Sequence, residues 1–170
     1  MTSNNIPWIT EIKRVNSLKE TVPQYKSYFQ RAQDDKGFPI TKPPWGTLSA
    51  LKLSTGKIIW QVPFGEYEFL TKNGFSKTGT ENFGGVTSTA GGVLFATGAL
   101  DKKFYVFDSS NGEILYEYEM PYVGSSPPST YLYDKEQYVV VHSSGGSTLQ
   151  KGYPDIVFDG NLLLGFKLKD

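Results

Sequence analysis

The sequence contains few candidates for catalytic or metal-ligating side chains. His142 is the only histidine and cysteine is absent, so disulfides and thiolate metal sites are excluded. Because His142 ends an apolar stretch, a satisfied or exposed imidazole is favoured over a metal or substrate ligand. We interpret two acidic pairs as solvated loop charges and assign no role to a third; they are Asp34 with Asp35, Glu66 with Glu68, and Asp155 with Asp159.

Short sequence motifs nominate no catalytic group either. The sequence contains no zinc-ligand pattern and no glycine-rich phosphate loop. In GFSKTG, residues 74–79, the glycine spacing is wrong for the nucleophile elbow of a hydrolase. The stretch SSGGS, residues 143–147, is small and flexible, which is typical of a turn.

Length, composition and charge exclude several classes of protein. The 170 residues suit one domain or a piece of a larger one. Seventeen basic residues balance seventeen acidic ones, so nothing indicates a nucleic-acid-binding patch. No apolar run approaches the roughly 18 residues of a membrane span. Since MTSNNIPWITEIKR has neither a basic nor an apolar region, it is no signal peptide, and we expect the chain as written to be soluble.

The secondary structure predicted from the sequence, on which any functional site would be built, consists mostly of strands. A loosely helical pattern covers only residues 15–33, where Pro23 interrupts it, and residues 38–46 read as a proline-rich connector. From Thr47 the sequence predicts a hairpin around the turn STGK, followed by a polar loop over residues 66–81. Four antiparallel strands then follow at GVTSTA, GVLFATGA, KFYVFDSS and EILYEYEM, and a last group at STYLYDKE, QYVVVHSS and NLLLGFKLK. 

A repeated motif indicates how these strands are arranged. ALKLSTGKIIW returns as VFDSSNGEILY, so that Gly56 and Gly112 are 112 − 56 = 56 residues apart. Inner strands such as Val93–Phe95 and Val139–Val141 are apolar on both faces, which indicates strands between other layers. Repeated four-stranded sheets stacked around an axis form a β-propeller. A two-sheet sandwich is the alternative, but the regular return of a turn and an aromatic residue favours the propeller.

The repeat resembles the tryptophan-docking motif of quinoprotein dehydrogenases, A-x-D-x-x-T-G-x-x-x-W. In the first copy Lys52 replaces the Asp, while the matching residues are Ala50, Thr55, Gly56 and Trp60. In the second copy Asp108 and Gly112 match, and the substituted positions are Val106, Asn111 and Tyr116. The glycine allows the turn, the Thr or Asn oxygen caps it, and the aromatic ring is expected to pack between neighbouring blades.

Other stretches narrow the resemblance to one subgroup of that family. KPPWGTLSA, TGTENFGGVTSTAGGVLFATG, KFYVFD, GSSPPSTY, QYVVV and SSGG are similar in order and spacing to membrane-associated dehydrogenases that depend on pyrroloquinoline quinone (PQQ) and act on glucose, quinate or shikimate. The resemblance runs from about Asn4 to Leu168. It implies an all-β fold, a partial propeller with about three of the family's eight four-stranded blades. We accordingly expect an N-terminal strand with an irregular connector in residues 1–46 and propeller blades in residues 47–170.

The resemblance also implies where a cofactor would lie. In the family PQQ binds near the propeller axis with calcium, and a carboxylate acts as the base, but the catalytic Asp and the main calcium ligands belong to blades that this chain lacks. Phe83 matches a position near the quinone's carboxylate side, and Gly84 would let backbone N–H groups approach an anion. Asn4 or Asn5 lies near a family asparagine that contacts the cofactor. Alternatively, Gly84 and Gly85 only begin an inner strand. The family counterpart of SSGGS lies near the substrate entrance.

We therefore expect the C-terminal part of a quinoprotein dehydrogenase that oxidises a sugar or polyol and passes electrons to a membrane quinone. The resemblance implies the periplasmic side of a bacterial inner membrane. We expect this chain alone to be inactive, to bind PQQ and calcium poorly, and to associate with itself or with its remaining blades. The alternatives are a non-catalytic propeller scaffold for protein contacts and one half of a split enzyme.

Overall fold

The computed structural model describes residues 1–15, 24–145 and 160–168, in which one short helix and twelve strands occur. The helix, α1, is Glu68–Lys72, and the strands β1 to β12 are, in order, Thr2–Asn4, Trp8–Val15, Gln24–Arg31, Gly46–Lys52, Lys57–Pro63, Val86–Ser88, Val93–Ala96, Lys103–Asp108, Ile114–Glu119, Ser129–Tyr133, Glu136–Ser143 and Leu162–Lys167. The chain divides into two compact units, one of Met1–Asn5 with Pro43–Asp170 and one of Ile6–Lys42. No helix among the described residues is long and apolar enough to cross a bilayer.

The larger unit contains three antiparallel sheets. The first has the strand order β1-β4-β5, the second β6-β7-β8-β9 and the third β10-β11-β12. The expected hairpin around STGK is β4 and β5, and the four expected strands after the polar loop form the second sheet in sequence order. The all-β expectation is therefore confirmed, and a partial propeller is consistent with these sheets.

The inner strands of the second sheet, β7 and β8, are largely buried on both faces. On one face the sheet's residues pack with the first sheet in a cluster formed by Leu48, Phe64, Leu94, Ala96, Ala99, Tyr105 and Phe107. On the other face they pack with the third sheet in a cluster formed by Phe95, Phe104, Met120, Val139 and Val141. Successive side chains of a strand point to opposite faces, so Leu94 and Phe95 enter different clusters. This layering is what the apolar runs of the sequence predicted.

Both copies of the repeated turn have the conformation that the sequence predicted. Gly56 and Gly112 have φ angles of 67° and 78°, in the left-handed region that favours glycine. The Thr55 hydroxyl accepts the Lys57 N–H at 3.4 Å, and the Asn111 side-chain oxygen accepts the Glu113 N–H at 2.8 Å. The Thr or Asn oxygen therefore caps the turn in each copy.

The N-terminal part differs from the expectation. The helical interpretation of residues 15–33 is wrong for the described part of that range, because β3 pairs antiparallel with β2, with Trp8 opposite Arg31 and Val15 opposite Gln24. Residues 16–23 lie outside the described residues. The aromatic and β-branched residues of these strands favour an extended chain. In the structural division, Met1–Asn5 belong to the larger unit, where β1 pairs with β4, and Ile6–Lys42 form the smaller one.

The polar loop at residues 66–81 also departs from the expectation. Its first part forms α1, whose Glu68 carboxylate pairs with the Lys72 ammonium at 2.5 Å. An acidic residue in the first turn and a basic residue in the last turn both favour a helix. The helix is only 5 residues long, so it is too short to show the periodic apolar face by which a helix is predicted from sequence.

Candidate functional site

Asn4 and Asn82 form a side-chain pair that joins the end of β1 to the segment before β6. The Asn4 amide nitrogen donates to the Asn82 carbonyl at 2.9 Å. The Asn4 side-chain oxygen accepts the Asn82 backbone N–H at 2.9 Å and the Asn82 amide at 2.6 Å. Asn82 is 7% exposed, whereas Asn4 is exposed. Two residues 78 positions apart are therefore fixed to each other beside Phe83.

Phe83 and Gly84 follow this pair directly. The Phe83 N–H donates to the Gly98 carbonyl at 3.0 Å, and the half-buried ring packs against Leu100 and Val123. A Cβ at Gly84 would come within 2.3 Å of the Thr97 carbonyl oxygen. The absence of a side chain at Gly84 is thus required by the backbone after β7, which agrees with the alternative that this glycine begins an inner strand.

Asn5 directly follows β1. Its backbone N–H donates to the Trp45 carbonyl at 2.7 Å, and the residue is exposed. The structure therefore brings Asn4, Phe83 and Gly84 together through Asn82, while Asn4 also lies opposite Gly46, the first residue of β4. We call Asn4, Asn82, Phe83 and Gly84 the Asn4–Gly84 edge.

Hydroxyl groups lie at the end of β11 in the third sheet. Ser143, at the end of β11, is fully buried; its hydroxyl accepts the Tyr122 N–H at 3.0 Å and donates to the Tyr122 carbonyl at 2.8 Å. The Ser125 and Ser144 hydroxyls lie 3.1 Å apart, and both residues are partly exposed. The start of SSGGS is therefore tied to the segment before β10, while Gly146 and Ser147 lie outside the described residues.

An aromatic cluster supports the Asn4–Gly84 edge. Leu100 and Val123 are its buried members, and Tyr67 and Phe83 pack against them. The Tyr67 ring also meets the Trp45 ring edge to face, with 5.6 Å between the ring centroids. The cluster joins residues from the loop before α1, from the segment before β6 and from the turn before β8.

Asp101 connects this cluster to its surroundings. Its carboxylate accepts hydrogen bonds from the Tyr105 hydroxyl, from the Glu66 N–H at 3.1 Å and from the Lys103 N–H at 3.2 Å. Burial raises the pKa of the Asp101 carboxyl above its usual value, and the hydrogen bonds oppose that rise. The same burial, together with the neighbouring carboxylate, raises the pKa of Tyr105.

The remaining candidates from the sequence carry no site. Asp34 accepts the Lys36 and Phe38 N–H groups of an exposed turn, and Glu66 accepts the Thr71 hydroxyl and the Lys77 N–H. His142 is partly exposed, and its Nδ1 lies 3.5 Å from the Ser144 hydroxyl. Asp155 and Asp159 lie outside the described residues. Within residues 1–15, 24–145 and 160–168, no group of three or more His, Asp or Glu side chains could hold a metal ion.

Sequence reasoning missed Asn82 and Asp101. TENFGG was recognised as a motif, but its asparagine carried no signal that distinguished it from a loop residue. Asp101 stands in LDKK, where an Asp is the ordinary residue of a turn. Their partners Asn4 and Glu66 are 78 and 35 residues away, and a single sequence does not reveal such pairings.

Trp60 connects the first two sheets. Its indole N–H donates to the Ser109 carbonyl at 3.0 Å. A Cβ at Gly112 would lie 2.7 Å from the Trp60 ring, so the ring rests directly on the turn between β8 and β9. The ring is partly buried against the cluster that contains Leu48 and Phe107.

The layered sheets define an all-β protein of the propeller class. A europium-containing methanol dehydrogenase has a similar fold, with a TM-score of 0.57 and 20% identity over 91% of this chain and 25% of that chain. Residues 5–139 match the family model described as the PQQ glucose/ethanol/alcohol dehydrogenase β-propeller domain. The chain belongs to this family, and the resemblance inferred from its motifs is confirmed.

Bacterial relatives share much of this chain. The quinate/shikimate dehydrogenase (quinone) of Acinetobacter baylyi is 32% identical over 85% of this chain and 19% of its own length. The probable quinate dehydrogenase (quinone) of Xanthomonas campestris pv. juglandis is 36% identical over 79% of this chain and 17% of its own length. The quinoprotein glucose dehydrogenase of Escherichia coli is 34% identical over 64% of this chain and 14% of its own length. The chain therefore spans less than a fifth of the length of these relatives.

Proposed function

We propose that this chain forms the C-terminal part of a PQQ-dependent quinoprotein dehydrogenase that oxidises a sugar or polyol hydroxyl and passes the electrons to a quinone. The observation that carries the proposal is the family match over residues 5–139, which includes Phe83 and Gly84. Relatives named as quinate, glucose and glycerol dehydrogenases support a polyhydroxylated substrate. On the family resemblance, the enzyme works on the periplasmic side of a bacterial inner membrane.

The Asn4–Gly84 edge is the part of this chain proposed to face PQQ. The Asn4 amide nitrogen carries two hydrogens, and one of them is used on Asn82. Since Asn4 is exposed, its second N–H is available as a donor to an anionic or carbonyl oxygen. The half-buried Phe83 ring, which follows Asn82 directly in the chain, supplies an apolar group. These two groups fit one side of a planar, acidic quinone, and we propose no contact for Asn5, which lies next to Trp45.

Within the described part of the chain, no group of three or more acidic or histidine side chains offers a calcium site. On the family resemblance, we propose that residues of other blades hold this ion. We likewise propose that the catalytic carboxylate is supplied there. When bound, PQQ supplies the oxidising quinone, and the residues of this chain orient and enclose it without themselves moving a proton.

Trp60 is proposed to be the docking residue of the first repeat. The indole hydrogen bond to Ser109 and the ring contact at Gly112 attach the first sheet to the turn of the second. A Trp-to-carbonyl hydrogen bond satisfies the one polar atom of the ring while the rest of it stays apolar. In this interpretation the docking contact keeps the sheets, and with them the Asn4–Asn82 pair, in register.

The outer faces of the first and third sheets are proposed to be covered by further sheets of the same protein. Large apolar side chains on these sheets are exposed, among them Ile58, Ile59, Tyr131, Tyr133 and Leu163. Exposed apolar surface of this kind favours association. Light scattering of the purified chain should therefore report self-association, and a monodisperse 18.9 kDa monomer that binds no hydrophobic dye would contradict the proposal.

Dye-linked oxidation tests the proposed activity. The full natural protein that contains this chain, loaded with PQQ and calcium, should reduce an artificial acceptor with glucose, quinate or glycerol, whereas the 170 residues alone should not. A full-length protein that binds PQQ but oxidises none of these substrates would contradict a sugar or polyol dehydrogenase. Turnover by the 170 residues alone would contradict a catalytic carboxylate outside them.

A further inference from the structure

Two aspartates stand at the two ends of β8 and close the same kind of turn. Asp101 precedes the strand, and its Oδ1 accepts the Lys103 N–H at 3.2 Å. Asp108 ends the strand, and its Oδ1 accepts the Ser110 N–H at 2.7 Å. In each case an Asp side chain caps the backbone two residues further on, which is an ordinary Asx turn. The turn alone would make the two residues equivalent.

Asp101 also accepts two hydrogen bonds from residues outside its own turn. Its Oδ2 accepts the Tyr105 hydroxyl from β8 and the Glu66 N–H from a loop 35 residues earlier. The other side-chain bond of Asp108 goes to the Ser110 hydroxyl, inside the same turn. Asp101 is also partly buried, and this burial raises the pKa of its carboxyl, while Ser110 holds the pKa of Asp108 below its usual value. A turn does not require a carboxyl that accepts from donors in two further segments.

The bond to Glu66 fixes the entry of the loop that supplies Tyr67. The Glu66 carboxylate closes the same loop by accepting the Thr71 hydroxyl at 3.1 Å and the Lys77 N–H at 2.9 Å. Tyr67 follows Glu66 directly, and Leu100 precedes Asp101 directly. Both side chains belong to the cluster on which Phe83 packs. One carboxylate thus controls the placement of two of the residues behind Phe83.

We propose that Asp101 is a positioning residue for the Asn4–Gly84 edge: by holding Glu66, it sets Tyr67 and Leu100 against Phe83. The proposal rests on the proposed function, in which Phe83 faces PQQ. Asp101 itself does not contact the cofactor in this account. It acts through the aromatic cluster, so its loss should change cofactor affinity beyond what a general loss of stability explains.

The test measures the PQQ dissociation constant of the full natural protein in its apo form, by fluorescence titration well below the melting temperature. The variants are Phe83→Ala, Asp101→Ala, Asp101→Asn and the matched turn control Asp108→Ala. We expect Phe83→Ala and Asp101→Ala each to weaken PQQ binding about tenfold, as loss of a supporting partner does at other sites. Asp101→Asn keeps a side-chain oxygen acceptor and should recover part of the affinity, and Asp108→Ala should leave it unchanged.

A second control separates positioning from stability. Val141 is fully buried in the cluster between the second and third sheets, which does not include Phe83, so Val141→Ala lowers stability without removing a contact of Phe83. It should leave the PQQ dissociation constant unchanged. Equal weakening by Val141→Ala or by Asp108→Ala would overturn the positioning role. Weakening by Phe83→Ala alone would also overturn it, while no weakening by either Phe83→Ala or Asp101→Ala would overturn the cofactor-facing edge and the positioning role together.

Discussion

Trp60 and Tyr116 occupy the same position of the repeated motif, 116 − 60 = 56 residues apart, yet their surroundings differ. Trp60 donates to Ser109 and lies on Gly112, so the turn of the next sheet covers it. Tyr116 is 50% exposed. The two strands that carry them, β5 and β9, are both last in the order of their sheets.

The repeat therefore specifies the aromatic residue but not its burial. In each copy the glycine turn and the capping oxygen form locally, within a few residues. Burial of the aromatic ring requires a turn from a different sheet, which for Trp60 lies about 50 residues further on. How much the aromatic residue of the motif contributes to the free energy of unfolding therefore depends on the neighbouring sheet, and this can be tested by mutation.

The largest expected effect comes from Trp60→Ala. Removing a large ring that packs on a core cluster and donates a hydrogen bond should lower the free energy of unfolding by about 3 kcal/mol. Denaturant unfolding of the purified chain measures this loss. Tyr116→Ala is the control from the second copy, and because its ring is half exposed we expect a loss within about 1 kcal/mol. Equal losses would mean that the two copies are not distinguished by the covering turn.

Replacing the glycine should also cost different amounts of stability in the two copies of the repeat. Gly56 and Gly112 both have positive φ, so an Ala at either position costs roughly 1–2 kcal/mol of backbone strain. A Cβ at Gly56 meets nothing within 4 Å, whereas one at Gly112 would lie 2.7 Å from the Trp60 ring. Gly112→Ala should therefore cost at least about 1 kcal/mol more than Gly56→Ala. Matching melting temperatures for the two variants would show that the ring does not rest on Gly112.

The smallest effect concerns Asp108, which the first copy replaces with Lys52. The Ser110 hydroxyl and N–H lower the pKa of Asp108 in the folded chain. A lowered pKa stabilises the fold above the unfolded value, near 3.9, and this contribution is lost as the pH falls through the folded pKa. In melts between about pH 5 and pH 2, Asp108→Asn should therefore lose less stability than the wild type. Ser110→Ala should lie between them, and parallel curves for all three proteins would exclude this role of Ser110.

Much of the fold could be predicted because its determinants are local. Alternating apolar residues, Gly56 and Gly112 predicted strands and turns that the structure contains. The N-terminal hairpin could not be predicted from residues 15–33, since their polar and apolar spacing resembles one side of a helix as much as a strand. The register of β2 with β3 depends on pairing across the hairpin, which a single sequence does not display.

Only part of the candidate site could be predicted from the sequence, for the same reason. Phe83, Gly84 and Asn4 were found through resemblance to a family, and the structure brings them to one edge. The residues that hold them there, Asn82 and Asp101, act through partners far away in the sequence. Their own sequence context is that of ordinary turns and loops, so only the folded chain distinguishes them.

The most direct test of this account is a double-mutant cycle between Trp60 and Gly112. If the ring rests on the turn, Gly112→Ala has nothing to displace once the ring is gone, and only backbone strain remains. The account predicts that in a Trp60→Ala background the cost of Gly112→Ala falls to that of Gly56→Ala, as measured by denaturant unfolding. A cost of Gly112→Ala that is unchanged in this background would contradict the claim that the second sheet's turn covers the aromatic residue of the first repeat.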